Sequence, residues 1–350
     1  MSKFEVKKRL RKSCKIFQIL QMALLLVVSS SLMADENKSD SSEERVFDWS
    51  FFTINRFNRD KGALRLQNVS KLTVSARLAK GLKLIGVGQT GETFNNGFMN
   101  VQNYKTDKSE NMGFHFNQLY IEYLHGRFKT ELGTMGVGSS KQKASSFHGF
   151  GNITGGRFNV ETPYGTARVT LGNIGEVDKP DFYDRSLTRD YLEIQFQRNL
   201  WEGAMMELGH EEISDENYYR AIVSQDFESI LKRSFEIILE SIYDEERGAY
   251  KSGITLLSDV GELFQGKPSG HKMSYTFSHK DKGYDNFRFR NLEEGIYVGD
   301  GNISSLIYTM PLSEEKNLDL LVRARLHHDS GKPGVERERY ELGLKWYIGK

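Results

Sequence analysis

The sequence predicts an all-β chain, a transmembrane antiparallel up-and-down β-barrel of about sixteen strands, within roughly 14 to 18. Three observations predict it. The last fourteen residues, Arg337 to Lys350, alternate strictly, with Tyr340, Leu342, Leu344, Trp346 and Ile348 on one face of an extended strand and Arg339, Glu341, Gly343, Lys345 and Tyr347 on the other. The same two-residue period recurs between turn residues from residue 46 onward. The N-terminus reads as an export signal, and no later stretch approaches the length of a transmembrane helix. A chain that is apolar on one strand face, polar on the other and bound for a membrane has to close into a barrel, because open sheet edges find no hydrogen-bond partners in hydrocarbon.

Lys3, Lys7, Lys8, Arg9, Arg11, Lys12 and Lys15 precede an apolar run from Ile16 to Val28, interrupted by Gln18 and Gln21, and small residues follow around Ser29 to Ala34. This order is that of a secretory signal peptide over residues 1–34, with cleavage expected after Ala34. The alternative, a retained anchor, fits a run this short and glutamine-broken poorly. Removing 1–34 leaves 41 basic against 46 acidic residues, a net charge of −5, and takes away Cys14, the single cysteine. That balance does not point to nucleic acid, and no disulfide framework remains. Residues 35–45, DENKSDSSEER, read as a flexible periplasmic lead-in, and residues 46–350 as the barrel.

The strands follow in order. Residues 46–57, VFDWSFFTINRF, supply the first. Leu72, Val74, Ala76 and Leu78 alternate with Thr73, Ser75 and Arg77 before a turn at Ala79 to Gly81. Leu119, Ile121 and Tyr123 alternate with polar neighbours up to a turn at His125 and Gly126, and Phe158 and Val160 lead to a turn at Pro163 to Gly165. Leu192, Ile194 and Phe196 oppose Glu193, Gln195 and Gln197, while Leu318, Leu320, Val322, Ala324 and Leu326 oppose Asp319, Leu321, Arg323, Arg325 and His327. Short turns near residues 80, 126, 164, 201, 229, 265 and 314 are expected to take turns with longer loops near 95–111, 139–154, 175–189, 213–217, 245–248, 282–301 and 330–335. Ala221 to Tyr243 also fits one face of a helix, but its flanking segments are strands and the strand reading is the expectation. Asp281 to Gly301 lacks a clear continuation and reads as a folded surface loop.

Few residues invite chemistry. Gly86, Gly88 and Gly91 have the spacing of a dinucleotide loop, yet loop-forming residues follow instead of a helix, so lumen-facing or curvature-easing glycines explain them better. His327, His328 and Asp329 end a strand, where neighbours point to opposite faces, so a solvated rim histidine is the expectation. Ser145, Ser146 and His148 share a loop but lack an identifiable third group to position a base. No catalytic residue, cofactor site or metal site is assigned. Tyr123, Trp201, Tyr243, Trp346 and Tyr347 fall near strand ends, where interfacial aromatic girdles sit.

The inward charges carry more. Ring closure makes the first and last strands neighbours, so Arg77, Arg323, Arg325, Arg337 and Arg339 come from one sector of wall, whereas Glu193, Glu207, Glu236 and Glu240 come from middle strands opposite. Facing walls of opposite sign put a transverse field across a pore, and the competing reading is that these charges are simply solvated.

Glu341, Gly343, Trp346 and Ile348 resemble the C-terminal assembly signal of bacterial outer-membrane barrels, with Gly349 and Lys350 following where many members end on an aromatic. With the strand pattern over 46–350, the chain resembles porin-type barrels, distantly those for carbohydrates, alginate or phosphate. The resemblance implies a Gram-negative outer-membrane location, insertion by the barrel-assembly machinery, passive diffusion of small hydrophilic solutes with anion or sugar preference as the candidate selectivity, and a homotrimer. It also makes residues 138–153, with Lys141, Lys143, Phe147, His148 and Phe150, a candidate constriction loop, although the family's loop is usually acidic; an exposed loop is the equal alternative. A non-conducting structural or adhesive barrel, an outer-membrane hydrolase and a secreted soluble β-protein are the competing classes.

Overall fold

A computed structural model describes residues 46–60, 63–90, 99–103, 114–136, 152–174, 181–185, 189–228, 234–261, 269–284, 300–313, 317–328 and 338–348. Its strands are β1 (Phe47–Asp60), β2 (Ala63–Ala79), β3 (Leu82–Thr90), β4 (Met99–Asn103), β5 (Phe114–His125), β6 (Phe128–Gly136), β7 (Asn152–Thr162), β8 (Gly165–Asn173) and β9 (Tyr191–Trp201), followed by β10 (Ala204–Ile213), β11 (Glu216–Asp226), β12 (Phe235–Asp244), β13 (Ala249–Asp259), β14 (Lys272–Lys280), β15 (Gly301–Ser313), β16 (Leu318–His327) and β17 (Glu338–Ile348). Sixteen of them form one closed antiparallel ring, because β1 pairs with β2 on one side and with β17 on the other. The remaining strand, β4, is short and pairs with β2 at residues 65–68, beyond the end of β3. The described parts of the segment with helical periodicity belong to β11 and β12, whose edges pair with each other and with β10 and β13.

The period of two sorts the side chains as the sequence requires. On β17, Arg339 and Glu341 are buried while Tyr340, Leu342, Leu344 and Trp346 are exposed on the outer face. The same parity gives the whole outer surface a belt of exposed apolar groups, Leu132, Phe158, Ile194, Leu208 and Leu239 among them. Hydrocarbon would solvate such a belt; water would not.

Both chain ends of the barrel lie at one end of the ring, the terminal end. Four of its turns, 80–81, 126–127, 163–164 and 202–203, have two residues, and Gly81, Gly126 and Gly203 supply the positive φ such hairpins need. The expected contrast between short and long connections holds in the first half of the chain and again from β14 to β17, and fails in between. At the opposite, loop end, β10 and β11 are joined by the two residues Ser214 and Asp215, both with positive φ, and β12 and β13 by residues 245–248. Glu216 and Asp244 accept hydrogen bonds from Arg247 at 2.9 Å each, which clamps the latter turn and holds the Arg247 pKa above its ordinary value. The terminal-end connections 227–234 and 260–271 are longer than either of these turns.

One assignment of facing, that of the glycines, and one place in the aromatic girdle, that of Tyr347, are corrected. Gly86 and Gly88 sit opposite Val74 and Leu72 on the outer face, and a Cβ on Gly88 would overlap the ring of Phe114. Tyr347 turns inward at the terminal mouth, its ring 4.9 Å from that of Phe52, while Tyr219, Tyr243 and Tyr250 line up on the outer face at the loop end.

Burial of the inward side chains is graded along the barrel. On β9, Tyr191, Glu193 and Gln195 are buried and Gln197 is half-buried; on β14, Lys280, Ser278 and Thr276 are buried and Lys272 is exposed. The lumen is therefore roomier toward the terminal end and tight in its loop half. An apolar cluster of Ile153, Tyr191, Ile213, Tyr218 and Ile242, joined by Ile174 and Tyr284, packs into that tight half.

Candidate functional site

Two charged clusters occupy opposite walls of the lumen. The first is built on the seam that closes the ring. Arg56 on β1 stands opposite Gly343 on β17, so its side chain lies across that glycine and reaches Glu341 with Nη1 at 2.8 Å from Oε2. A Cβ on Gly343 would lie 3.0 Å from the Arg56 Cβ, which gives this glycine a steric reason. Glu341 also pairs with Arg323 at 3.1 Å and with Arg339 at 3.0 Å, and Arg325 stands directly opposite Arg339. One carboxylate is thus set among four guanidinium groups. Gln67 on β2 accepts a further hydrogen bond from Arg56 Nε at 3.0 Å.

The second cluster inverts that arrangement. Arg220 on β11 stands opposite Gly209 on β10 and lies over it, within 3.2 Å of where a Cβ would be. Glu207 and Glu211, two residues to either side of Gly209, both accept from the Arg220 guanidinium, Glu207 at 2.9 Å, and Glu193 on β9 accepts from it at 3.2 Å. Glu240 on β12 completes the acidic set; it is 4 % exposed and neither of its carboxylate oxygens has a hydrogen-bond partner among the described residues. In the sixteen-strand ring β9 is eight strands from β17, and β10 eight from β1, in either direction, so the two clusters face each other across the lumen.

Between them the wall is tied by smaller ion pairs and hydrogen bonds. Glu131 accepts from Arg157 at 2.8 Å and pairs with Lys129 at 3.1 Å, and Asn159 accepts from Arg168 at 2.7 Å.

Of the residues singled out from sequence, Arg323, Arg325 and Arg339 come together in the basic cluster and Glu193, Glu207 and Glu240 in or beside the acidic one. Arg77 is inward but lies near the terminal end, opposite Lys83, and Glu236 is likewise at the terminal side of β12. Arg337, the loop containing Lys141, Lys143, Phe147, His148 and Phe150, and residues 1–45 lie outside the described residues. Of the C-terminal motif, Glu341 and Gly343 belong to the basic wall and Trp346 to the outer belt. Sequence reasoning missed Arg56, Glu211 and Arg220. Alternation along β10, where Glu211 shares the parity of Glu207, could have found Glu211; Arg56 and Arg220 come into their clusters through strand register.

His327 is buried on the inward face and His328 is exposed. His328 Nε2 lies 2.7 Å from Ser304 Oγ on the outer face, yet no described group holds its other ring nitrogen, so the pair lacks the third member that would position a base.

The fold is that of known porins. The structure resembles Pseudomonas aeruginosa OprD with a TM-score of 0.57 and 9% identity, covering 89% of this chain and 98% of that one. Pseudomonas putida OprB gives 0.57 and 11% identity over 87% and 94%. Acinetobacter baumannii OccAB4 gives 0.54 and 8% identity over 89% and 100%. No family model and no curated protein sequence matches the chain.

Proposed function

We propose that the chain is an outer-membrane channel through which small hydrophilic solutes diffuse passively, with its constriction in the loop half of the lumen. The observation that carries this reading is the pair of inverted charge clusters on opposite lumen walls inside a barrel whose outer belt is apolar. Fixed charges of opposite sign across a narrow polar passage orient water and dipolar solutes and hold back apolar ones, which must displace ordered water. The chemistry is that of passage, with no catalytic step and no cofactor. Export by residues 1–34, a flexible lead-in over 35–45, insertion by the barrel-assembly machinery and assembly into trimers complete the proposal. Anion or sugar preference is the candidate selectivity, anions being favoured where Arg323, which is half-buried, lines the path.

Charge reversal on the basic wall tests it. In the double variant Arg323→Glu and Arg325→Glu, the reversal potential in a salt gradient shifts toward cation preference. An unchanged potential in a conducting protein would place both residues outside the constriction.

A second reading, a barrel occluded in its loop half with a structural or adhesive role, draws on the near-complete burial of the inward side chains there. It gives folded, inserted protein without conductance.

A further inference from the structure

Three neighbouring strands repeat one outward pattern near the loop end: a large side chain, a small one, a large one. On β11 it is Tyr219, Ala221 and Val223, on β12 Tyr243, Ser241 and Leu239, and on β13 Tyr250, Ser252 and Ile254. Register sets like beside like, with the tyrosines in one row, Ala221, Ser241 and Ser252 in the next, and Val223, Leu239 and Ile254 in the third. The small row is the floor of a trough in the outer face, with the tyrosine girdle on its loop side and the apolar belt on the other. Phe277 and His279 on β14 wall its flank, and its volume is about 470 Å³. That lies within the roughly 300–1,000 Å³ of small-molecule sites.

The lining suits an amphiphile. Val223, Leu239 and Phe277 are exposed, so the belt side is apolar. The floor carries two hydroxyls, Ser241 Oγ and Ser252 Oγ, 2.9 Å apart. Their mutual hydrogen bond uses one of two hydroxyl protons, and among the described residues the other has no acceptor. One row inside the girdle, that proton needs an acceptor that lies in the bilayer and outside the barrel. Of the outward side chains lining the trough, only His279 is titratable. Both its ring nitrogens are engaged, Nδ1 with Asn302 Oδ1 at 2.9 Å and Nε2 with Asp281 Oδ1 at 3.3 Å, so the trough calls for an uncharged group.

We propose that this trough binds a bilayer lipid through one acyl chain, whose ester or amide carbonyl accepts the free hydroxyl proton of the Ser241 and Ser252 pair. Depth and donor pick the occupant. Tyrosines mark the membrane interface, and the carbonyl linkage of a lipid lies just beneath its headgroup, level with the serine row. A soluble partner does not reach below the girdle. This inference rests on the reading of the barrel as membrane-spanning and is independent of whether the lumen conducts.

Lipid titration tests it. The full chain is expressed in a Gram-negative host, purified from outer membranes into detergent, and titrated with dipalmitoyl phosphatidylcholine or with its dihexadecyl ether analogue, which lacks the carbonyls. Native mass spectrometry counts bound lipids, and heat-modifiable migration reports folding. The expected result is one ester lipid per barrel, with the ether analogue bound about fivefold more weakly. Ala221→Phe, which fills the floor, abolishes binding of both, and in the double variant Ser241→Ala and Ser252→Ala the ester lipid falls to the affinity of the ether. Leu132→Phe, at an exposed outer position on β6, leaves binding unchanged. If Ala221→Phe fails to fold, the serine double variant decides. Equal ester and ether binding by the parent protein, binding indifferent to Ala221→Phe in folded protein, or protein dimers that Ala221→Phe dissociates would each overturn the lipid site and leave the channel reading standing. Folded protein that does not float with membranes would overturn both.

Discussion

Replacing Arg220 with methionine destabilises the barrel by about 3–5 kcal/mol, because the other charges of a buried ion cluster are left uncompensated. Arg220 donates hydrogen bonds to Glu193, Glu207 and Glu211, and all four side chains are at most 6 % exposed. Methionine keeps much of the volume and removes the charge and the donors. The expected loss is measured as a lower urea midpoint for unfolding in micelles, followed by heat-modifiable migration. Adding Glu193→Gln and Glu207→Gln to Arg220→Met recovers most of it, since neutral amides tolerate the site without a cation. A loss below about 1 kcal/mol, the range of exposed ion pairs, would mean that water or mobile ions already screen the cluster.

The converse change on the opposite wall, Glu341→Gln, carries a comparable cost of about 3–5 kcal/mol for removing the central carboxylate from a buried cationic cluster. Arg56, Arg323 and Arg339 all pair with this carboxylate, and Arg325 stands next to it, so the amide keeps the shape and leaves four cations facing one another. Two readouts separate charge from packing. Unfolding in urea moves to lower concentration, and adding Arg325→Gln recovers part of the loss. In bilayers the same variant shifts the reversal potential toward anions, opposite in sign to the arginine reversals on that wall. A shift in stability with no shift in potential would make the cluster a fastening of the β17 and β1 seam alone.

The two clusters differ in how far the sequence discloses them. Arg323, Arg325, Arg339 and Glu341 sit on strands whose alternation is strict, so their inward facing follows from the period of two. Their partner Arg56 could not be read the same way, because the contact depends on the register across the closing seam, which sets Arg56 against Gly343. Arg220 immediately precedes the stretch, Ala221 to Tyr243, whose apolar spacing also fits a helix, and pairing with β10 and β12 fixes its direction. Barrel closure and strand order were legible from turns and alternation. Loop lengths were less so, since Ser214 and Asp215 make a two-residue turn with residues that also suit open loops. The outward facing of Gly86 and Gly88 was misjudged because glycine carries no polarity to mark a face. Depth within the lumen, which separates Arg77 from Arg325, has no sequence signal at all.

Single-channel recording from purified, refolded residues 35–350 in a planar bilayer under a salt gradient tests the central claim most directly. A channel with charged, opposed constriction walls gives stable open steps and a reversal potential that the Arg323 and Glu341 variants move in opposite directions. Electrically silent bilayers, from protein shown to be folded and inserted, would contradict the channel and favour the occluded barrel.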